Sequence, residues 1–253
     1  MSTTTAPVQA NEGAWLQARI GRITASEIGD LFTEPRSMTA AQKDAKAKGQ
    51  PVFGETAKAL ITTKACERLY GVAEHHVLTR SMERGQNLEP IAKILLSQHW
   101  KEIDDATFLA YGENAGATPD GYVMKGGATL DIKCPEAFGD VIRFGQEVED
   151  GDFEALKKWN KGYAYQIMMQ AKCAGVKVAY LVYFTDRLPM VKVETDEVLE
   201  QTGYMMETPG FAFTARRFLL TDELSQQIDL YLQAAEVEIA NTKYLIQNTA
   251  KTA

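Results

Sequence analysis

The sequence predicts an α/β fold in which a central mixed sheet is flanked by helices. Three observations carry this. Apolar residues recur at helical spacing early and late in the chain. Between them the period shortens to that of strands, in short runs bounded by Gly and Pro. The resulting order, α-α-β-β-β-α-β-β-α, suits a sheet covered on its faces.

The elements follow in order. Residues 1–12 open Thr- and Ala-rich and predict a disordered lead-in, with 13–253 as a single domain. Thr24-Ala-Ser-Glu27 has the capping-box pattern ahead of Ile28, Leu31 and Phe32, so a helix is expected to start there. Residues 38–51, rich in Ala, Lys and Gln, predict a loop or a short exposed helix. Thr56–Tyr70 sets Leu60, Ile61, Ala65 and Leu69 on one face and stops at Gly71. Asn87–Trp100 repeats the pattern with Ile91, Ile94 and Leu95. Strands are expected at 107–111, 121–125 and 129–134, the last two joined by a Gly126-Gly127 hairpin turn. A helix over 153–175 is expected to be interrupted between Trp159 and Gly162. Strands at 178–184 and 190–195 flank Asp186-Arg-Leu-Pro189, and a last helix over 221–247 presents Ile228, Leu232, Ala235 and Ile239.

Composition bounds the function. The 253 residues are 45% hydrophobic and 24% charged, ordinary for a globular chain. No apolar run reaches the roughly 18–20 residues of a membrane span, and the start lacks a basic-then-apolar signal, so a cytoplasmic location is expected. Cys66, Cys134 and Cys173 are far apart, which disfavours a cysteine-built zinc or iron–sulfur site. The net charge of −7 argues at first against a nucleic-acid partner. However, acids concentrate in 136–154 while Lys43, Lys46 and Lys48, and Lys157, Lys158 and Lys161, form basic clusters. Net charge decides nothing.

Chemistry concentrates in Thr118-Pro-Asp-Gly121 followed by Leu130-Asp-Ile-Lys-Cys-Pro135. In a strand, residues two apart share a face, so Asp131 and Lys133 project together, toward Asp120 across the hairpin. Ile132 points into the core but offers its carbonyl. Two aspartates and a carbonyl suit Mg²⁺, with Mn²⁺ able to substitute, and leave positions for substrate oxygen and water. The metal would acidify that water and neutralise charge on phosphorus oxygens. Lys133 would orient the water, stabilise hydroxide or help take its proton; the sequence does not choose. The plainer alternative is a turn at Asp120 and a solvent-facing edge strand.

The Pro-Asp…Asp-x-Lys pattern resembles the signature of restriction-endonuclease-like nucleases. Its form here, Thr-Pro-Asp-Gly…Leu-Asp-Ile-Lys-Cys-Pro, resembles the lambda-exonuclease/YqaJ-type viral recombinase nucleases, and the likeness runs from about Trp15 to Phe184. It implies a restriction-endonuclease-like core. Trp15-Leu-Gln-Ala-Arg-Ile-Gly-Arg-Ile-Thr-Ala-Ser-Glu27 matches the family's N-terminal segment, which implies that Arg19 and Ser26, with Thr24 and Thr118, hold a DNA 5′-phosphate. The residues alone also fit a capping box with a surface arginine. Arg84-Gly-Gln-Asn-Leu-Glu-Pro-Ile-Ala92 matches another motif, implying that Glu89 faces the metals, although a Glu in a first helical turn also suits the helix dipole. Tyr163-Ala-Tyr-Gln-Ile-Met-Met-Gln170 matches a third, implying that Tyr163 and Gln166 line the site; Gln170 shares their face.

The chain departs from the family in carrying Asp131 where Glu is usual. What the resemblance implies is a Mg²⁺-dependent 5′-to-3′ exonuclease of a phage recombination system in a bacterial host. Its partners would be double-stranded DNA ends, further copies in a trimeric ring, and a single-strand annealing protein. An endonuclease or repair nuclease of the same superfamily, and a catalytically silent DNA-binding module, are the alternatives. A nuclease of the cysteine-cluster type is disfavoured by the cysteine spacing.

Overall fold

A computed structural model describes residues 8–73, 79–100, 102–193 and 206–249, with side chains excepted at 8–12, 99, 187–193 and 206–211. Helix α1 (Val8–Arg19) begins inside the stretch expected to be disordered, so residues 8–12 are helical there, and 1–7 lie outside the described residues. Strand β1 (Ile23–Thr24) and the four-residue α2 (Ile28–Leu31) follow. The capping box at Thr24 forms only in part. The Glu27 carboxylate accepts the Thr24 N–H at 2.9 Å, but the Thr24 hydroxyl donates to Glu27 and caps no N–H. A complete capping box sits instead at Thr39 and Gln42, opening α3 (Ala40–Ala47), a helix with no buried residue.

Helix α4 (Glu55–Tyr70) buries Leu60, Ile61 and Ala65 and ends at Gly71, whose φ of 69° is the left-handed cap that glycine supplies without strain. Helix α5 (Arg80–Trp100) starts seven residues earlier than the sequence pattern suggests. Its core stripe is Leu88, Ala92 and Leu96, while Ile91 and Ile94 are exposed. The expected apolar face was therefore out of phase with the sheet it covers.

Strands β2 (Leu109–Tyr111), β3 (Ala115–Ala117), β4 (Gly121–Val123) and β5 (Ala128–Lys133) come next. The β4–β5 turn is closed by Gly127 N–H donating to the Met124 carbonyl, and its positive-φ residues are Met124, Lys125 and Gly126. The turn therefore begins before the expected Gly126-Gly127 pair. In the acidic stretch stands α6 (Phe138–Glu147), which had no sequence assignment; Val141, Phe144 and Val148 are its buried signal.

Helices α7 (Phe153–Trp159) and α8 (Lys161–Ala174) break at Asn160, as expected, and Asn160 serves as cap to both. Strand β6 runs unbroken from Val178 to Val193 and pairs antiparallel with β7 (Met206–Leu219). The turn expected at Asp186–Pro189 is a pair of register irregularities within that ladder, between Thr185 and Leu188 and between Leu188 and Val191. Proline lacks the N–H a regular ladder needs, so it is tolerated where pairing is already broken. Helix α9 (Asp222–Thr249) buries Ile228, Leu232, Ala235 and Ile239, as expected.

The main sheet has the order β4-β5-β6-β7, with β5 and β6 parallel and the outer pairs antiparallel; a smaller sheet is ordered β1-β3-β2. The mixed sheet flanked by helices is thus present, divided into two. Leu130, Ile132, Val182 and Phe184 pack with α5 on one face. Leu181 and Tyr183 join α6, α8 and α9 on the other. This alternation sends Asp131 and Lys133 toward α8.

Candidate active site

The strand β5 fixes the first cluster. Asp131 is 1% exposed, and Lys133 Nζ lies 2.7 Å from its Oδ2 as an ion pair without hydrogen-bond alignment. The other oxygen, Oδ1, accepts from Gln166 Nε2 at 2.9 Å and from Gln170 Nε2 at 2.8 Å. These amides come from successive turns of α8, where spacings of three and four share a face. Lys133 also lies 4.6 Å from the centre of the Tyr163 ring, a cation–π contact.

Asp120 stands at the β4 end of the hairpin. Its carboxylate accepts the Ile132 N–H at 2.6 Å, and its own N–H donates to the Leu130 carbonyl at 2.9 Å. The next residue must be small: a Cβ on Gly121 would stand 2.9 Å from the Asp104 carbonyl oxygen and from Ile103. Burial, then the charges of Asp131 and Glu89, push the Asp120 carboxyl well above the usual carboxylate range, against the opposing pull of Lys133 and the Ile132 N–H. The Lys133 pKa is raised as well, which for an ammonium favours the charged form. Burial alone would lower its pKa, but Asp131 and Asp120 outweigh burial and raise it, so it holds its proton. Glu89 stands in α5 with Lys93 2.9 Å away.

A second cluster comes from the N-terminal segment. Arg19 Nη2 donates to Thr24 Oγ1 at 3.4 Å and its guanidinium stacks 4.3 Å from the centre of the Trp15 ring. Thr24 Oγ1 is 3.1 Å from Ser26 Oγ, and Trp15 Nε1 donates to Thr118 Oγ1 at 3.3 Å. Arg19, Thr24, Ser26 and Thr118 are thereby brought into one connected group. Burial lowers the Arg19 pKa while Glu27 and Glu67 oppose it, and guanidinium remains charged regardless.

Beneath this cluster lies a support that the sequence reading missed. Lys64 is 3% exposed and pairs with Glu27 at 2.9 Å and Glu67 at 3.1 Å. Glu67 accepts the Gly21 N–H at 2.8 Å, and Arg68 donates to the Gly21 carbonyl at 2.6 Å. Gly21 itself has φ of 69°, and a Cβ there would strike Arg68 Cγ at 2.4 Å. The available signal was Lys64 on the apolar face of α4, between Ile61 and Ala65. Trp15 was also missed as a member, and Gln170, expected to share the face of Tyr163 and Gln166, was given no role, although both fall inside the motifs quoted for their neighbours.

The two clusters meet at Gln170. Its amide nitrogen donates to Asp131 and also reaches the Thr118 carbonyl at 3.5 Å, while Thr118 precedes Asp120 by two residues. The thiols take no part: burial pushes Cys134 up to about 11 and Cys173 up to about 12, and all three cysteines are free. Among the described residues no three His, Cys, Asp or Glu side chains close on a common point. No helix there is long and apolar enough to cross a membrane.

Comparison with known proteins places this geometry. A family model described as the YqaJ-like viral recombinase domain matches residues 14–177. Among solved structures the chain is similar to an alkaline exonuclease (LHK-Exo) from Laribacter hongkongensis, 23% identical over 95% of this chain and 100% of that one, with a TM-score of 0.65. The same exonuclease in complex with dAMP gives a TM-score of 0.66 at the same identity and coverage. A phage-related exonuclease from Haemophilus somnus 129PT is 20% identical over 90% of this chain and 96% of that one, with a TM-score of 0.63. At these identities the likeness establishes the shared fold. No curated protein sequence matches the chain.

Proposed function

The chain belongs to the YqaJ-like viral recombinase family, and from that premise we propose that it is a divalent-metal-dependent exonuclease acting on linear double-stranded DNA. It digests 5′ to 3′ from a 5′-phosphorylated end and leaves a 3′ single-stranded tail for an annealing protein of phage-type recombination. Mg²⁺ is the proposed metal, with Mn²⁺ able to substitute, and a trimeric ring is the proposed assembly. The observation that carries the reading is the bridge at Gln170, which sets an arginine–hydroxyl cluster beside a buried Asp–Asp–Lys cluster.

The residues fit a divalent cation. Asp120 is held above its ordinary pKa by burial and then by like charge, and Asp131 Oδ2 is buried without a hydrogen bond among the described residues, with Lys133 as its ion-pair partner. Hard oxygen donors crowded in this way are relieved by a hard cation. Asp120, Asp131 and the Ile132 carbonyl would hold it, and Glu89, whose charge already acts on Asp120, would be drawn toward it. Such an ion, when bound, lowers the pKa of its water and neutralises charge on the phosphoryl oxygens.

The chain's own groups do the rest. Gln166 and Gln170 fix the Asp131 carboxylate, whose rotation would otherwise cost orientation at the reacting phosphate. Lys133, protonated and stacked on Tyr163, supplies a positive charge beside the scissile phosphate and favours the anionic transition state. Arg19, Ser26 and Thr118 receive the 5′-phosphate, for which a guanidinium with hydroxyls is a fitting host. Thr24 acts differently from its neighbours. Its one hydroxyl proton is given to Glu27 at 2.8 Å, so it accepts from Arg19 and positions that guanidinium.

The test is digestion of three duplexes with Mg²⁺: linear with 5′-phosphate, linear with 5′-hydroxyl, and closed circular. Loss of the 5′-phosphorylated linear DNA with release of mononucleotides is expected. Cutting of the circle would replace this reading with an endonuclease, and no cleavage of any substrate would leave a binding module.

A further inference from the structure

Lysines from two segments far apart in the sequence meet beside one pocket. A cavity of about 530 Å³ is lined by residues of α7, α8 and α9, among them Lys157, Lys158 and Lys161, together with Phe32 and Glu34 from the segment after α2. Glu34 pairs with Lys46 of α3 at 2.6 Å, which brings that helix, with Lys43 one turn before Lys46, beside the rim, while Lys48 pairs with Asp44 at 2.7 Å. The pocket lies round α8 from the candidate active site: Tyr163 and Gln166 face β5, whereas Tyr165 stacks on Phe32 at 3.8 Å.

Charge on this rim is only partly compensated. Lys46 is matched by Glu34 and Lys157 by Glu154 at 2.6 Å. Lys161 donates to the Phe32 carbonyl, and among the described residues no carboxylate lies within ion-pair distance of it. Lys158 and Lys43 are exposed, and no ion pair among the described residues engages them. The rim therefore keeps uncompensated ammonium groups in a chain whose net charge is −7.

Helix α3 adds an independent observation. It buries nothing, so it contributes no core, yet its start is fixed by a full capping box. An exposed, ordered helix that carries Lys43 and Lys46 one turn apart is a presenting element. Helix α2 runs between the two sites: Glu27 at its start holds Thr24 of the Arg19 cluster, and Phe32 at its end lines the pocket. The pocket is thus the next stop along α2 from the proposed 5′-phosphate site.

We propose that this pocket and the α3 ridge form a second, non-catalytic contact for the phosphodiester backbone of the DNA substrate, carried by Lys43, Lys158 and Lys161. The inference rests on the reading of the protein as a DNA exonuclease. Lysine ammonium groups on long flexible stems are point charges without the forked geometry that reads a base. The contact accordingly holds any sequence and releases counterions as it forms.

The experiment is equilibrium binding of a 5′-hydroxyl duplex of about 20 base pairs in EDTA, over a series of NaCl concentrations. EDTA removes chemistry, and the hydroxyl end removes the 5′-phosphate from the measurement. Each phosphate contact contributes roughly 0.9 to the slope of log K against log salt. The double variant Lys43→Gln/Lys158→Gln changes two exposed side chains, and its unfolding midpoint should match the wild type. Its salt slope is expected to fall by about two, with weaker binding at every salt concentration. Lys177→Gln, at an exposed residue just before β6 that pairs with Asp222, should leave the slope as it is. An unchanged slope in the double variant, with a wild type that binds and digests DNA, overturns this contact alone. A wild type that neither binds nor digests DNA overturns the exonuclease reading and this contact with it.

Discussion

Lys64 and Glu27 form an ion pair at 2.9 Å beneath the segment that carries Arg19, Thr24 and Ser26. Glu27 in turn holds Thr24 through both its N–H and its hydroxyl. A buried cation thus fixes the backbone of the proposed phosphate-binding segment from below. Lys64→Met takes away the cation that Glu27 and Glu67 face, and loss of one partner from a buried pair costs about 3–5 kcal/mol. Urea unfolding should show a drop of that order. Below its new midpoint the variant should lose preference for 5′-phosphorylated over 5′-hydroxyl ends. A stable variant with full preference would remove Lys64 from any positioning role.

Asp120 makes a prediction about pH. Its folded-state pKa is raised by burial and then by Asp131 and Glu89. A carboxyl raised in this sense favours folding while protonated, fully below its unfolded value near pH 4, and loses that contribution as pH rises through the folded value. Asp120→Asn keeps an acceptor for the Ile132 N–H and drops the charge. In metal-free buffer the variant and wild type should melt together below about pH 4, and the variant should become the more stable as pH rises. Added Mg²⁺ should raise the wild-type midpoint and leave the variant nearly unmoved, because a ligand stabilises only the state that binds it. A stability gap that is flat in pH would mean that neither burial nor the neighbouring carboxylates raise the Asp120 pKa.

Cleavage itself should separate from binding at Lys133. Lys133→Met removes a cation that sits 2.7 Å from Asp131. Loss of one positioned electrostatic group costs roughly 10²–10³ in kcat, so single-turnover rates should fall by about that factor while DNA affinity in EDTA is retained. Normal turnover would reduce the lysine to a structural counter-charge.

End selection should fall with Arg19. Hydrogen bonds to charged groups are worth about 1.5–3 kcal/mol, so Arg19→Gln is expected to weaken use of 5′-phosphorylated ends by roughly ten- to a hundredfold. Its effect on 5′-hydroxyl ends should be small, and the two KM values should converge. Equal loss on both ends would place Arg19 elsewhere on the DNA.

The fold and the centre of the site were legible because they rest on local patterns. Period-two alternation put Asp131 and Lys133 on one face of β5 and Ile132 on the other, where it is buried with Leu130. Helical spacing put Gln166 and Gln170 together, and both reach Asp131. Tertiary choices hid the remainder. The phase of α5 is set by the sheet, which selected Leu88, Ala92 and Leu96 over two isoleucines. Strand β7 was unread because its pairing to β6 is a long-range decision, and Pro189 signalled a turn where the ladder merely shifts register. The capping-box pattern at Thr24 matched in letters, but Lys64, some forty positions away, helps hold Glu27 for another use.

Asn160 closes α7 and opens α8, its side chain accepting the Tyr163 N–H at 3.0 Å. The rotational phase of α8 is therefore counted from this corner and owes nothing to the length of α7. A residue gained or lost in 153–159 alters the preceding helix and its lysines, yet leaves Tyr163, Gln166 and Gln170 aimed at β5. The same change between Tyr163 and Gln170 turns the later amide by about 100° away from Asp131. The corner thus separates a stretch whose length is free to vary from one whose length is locked, and divergence among relatives should put its insertions on the α7 side.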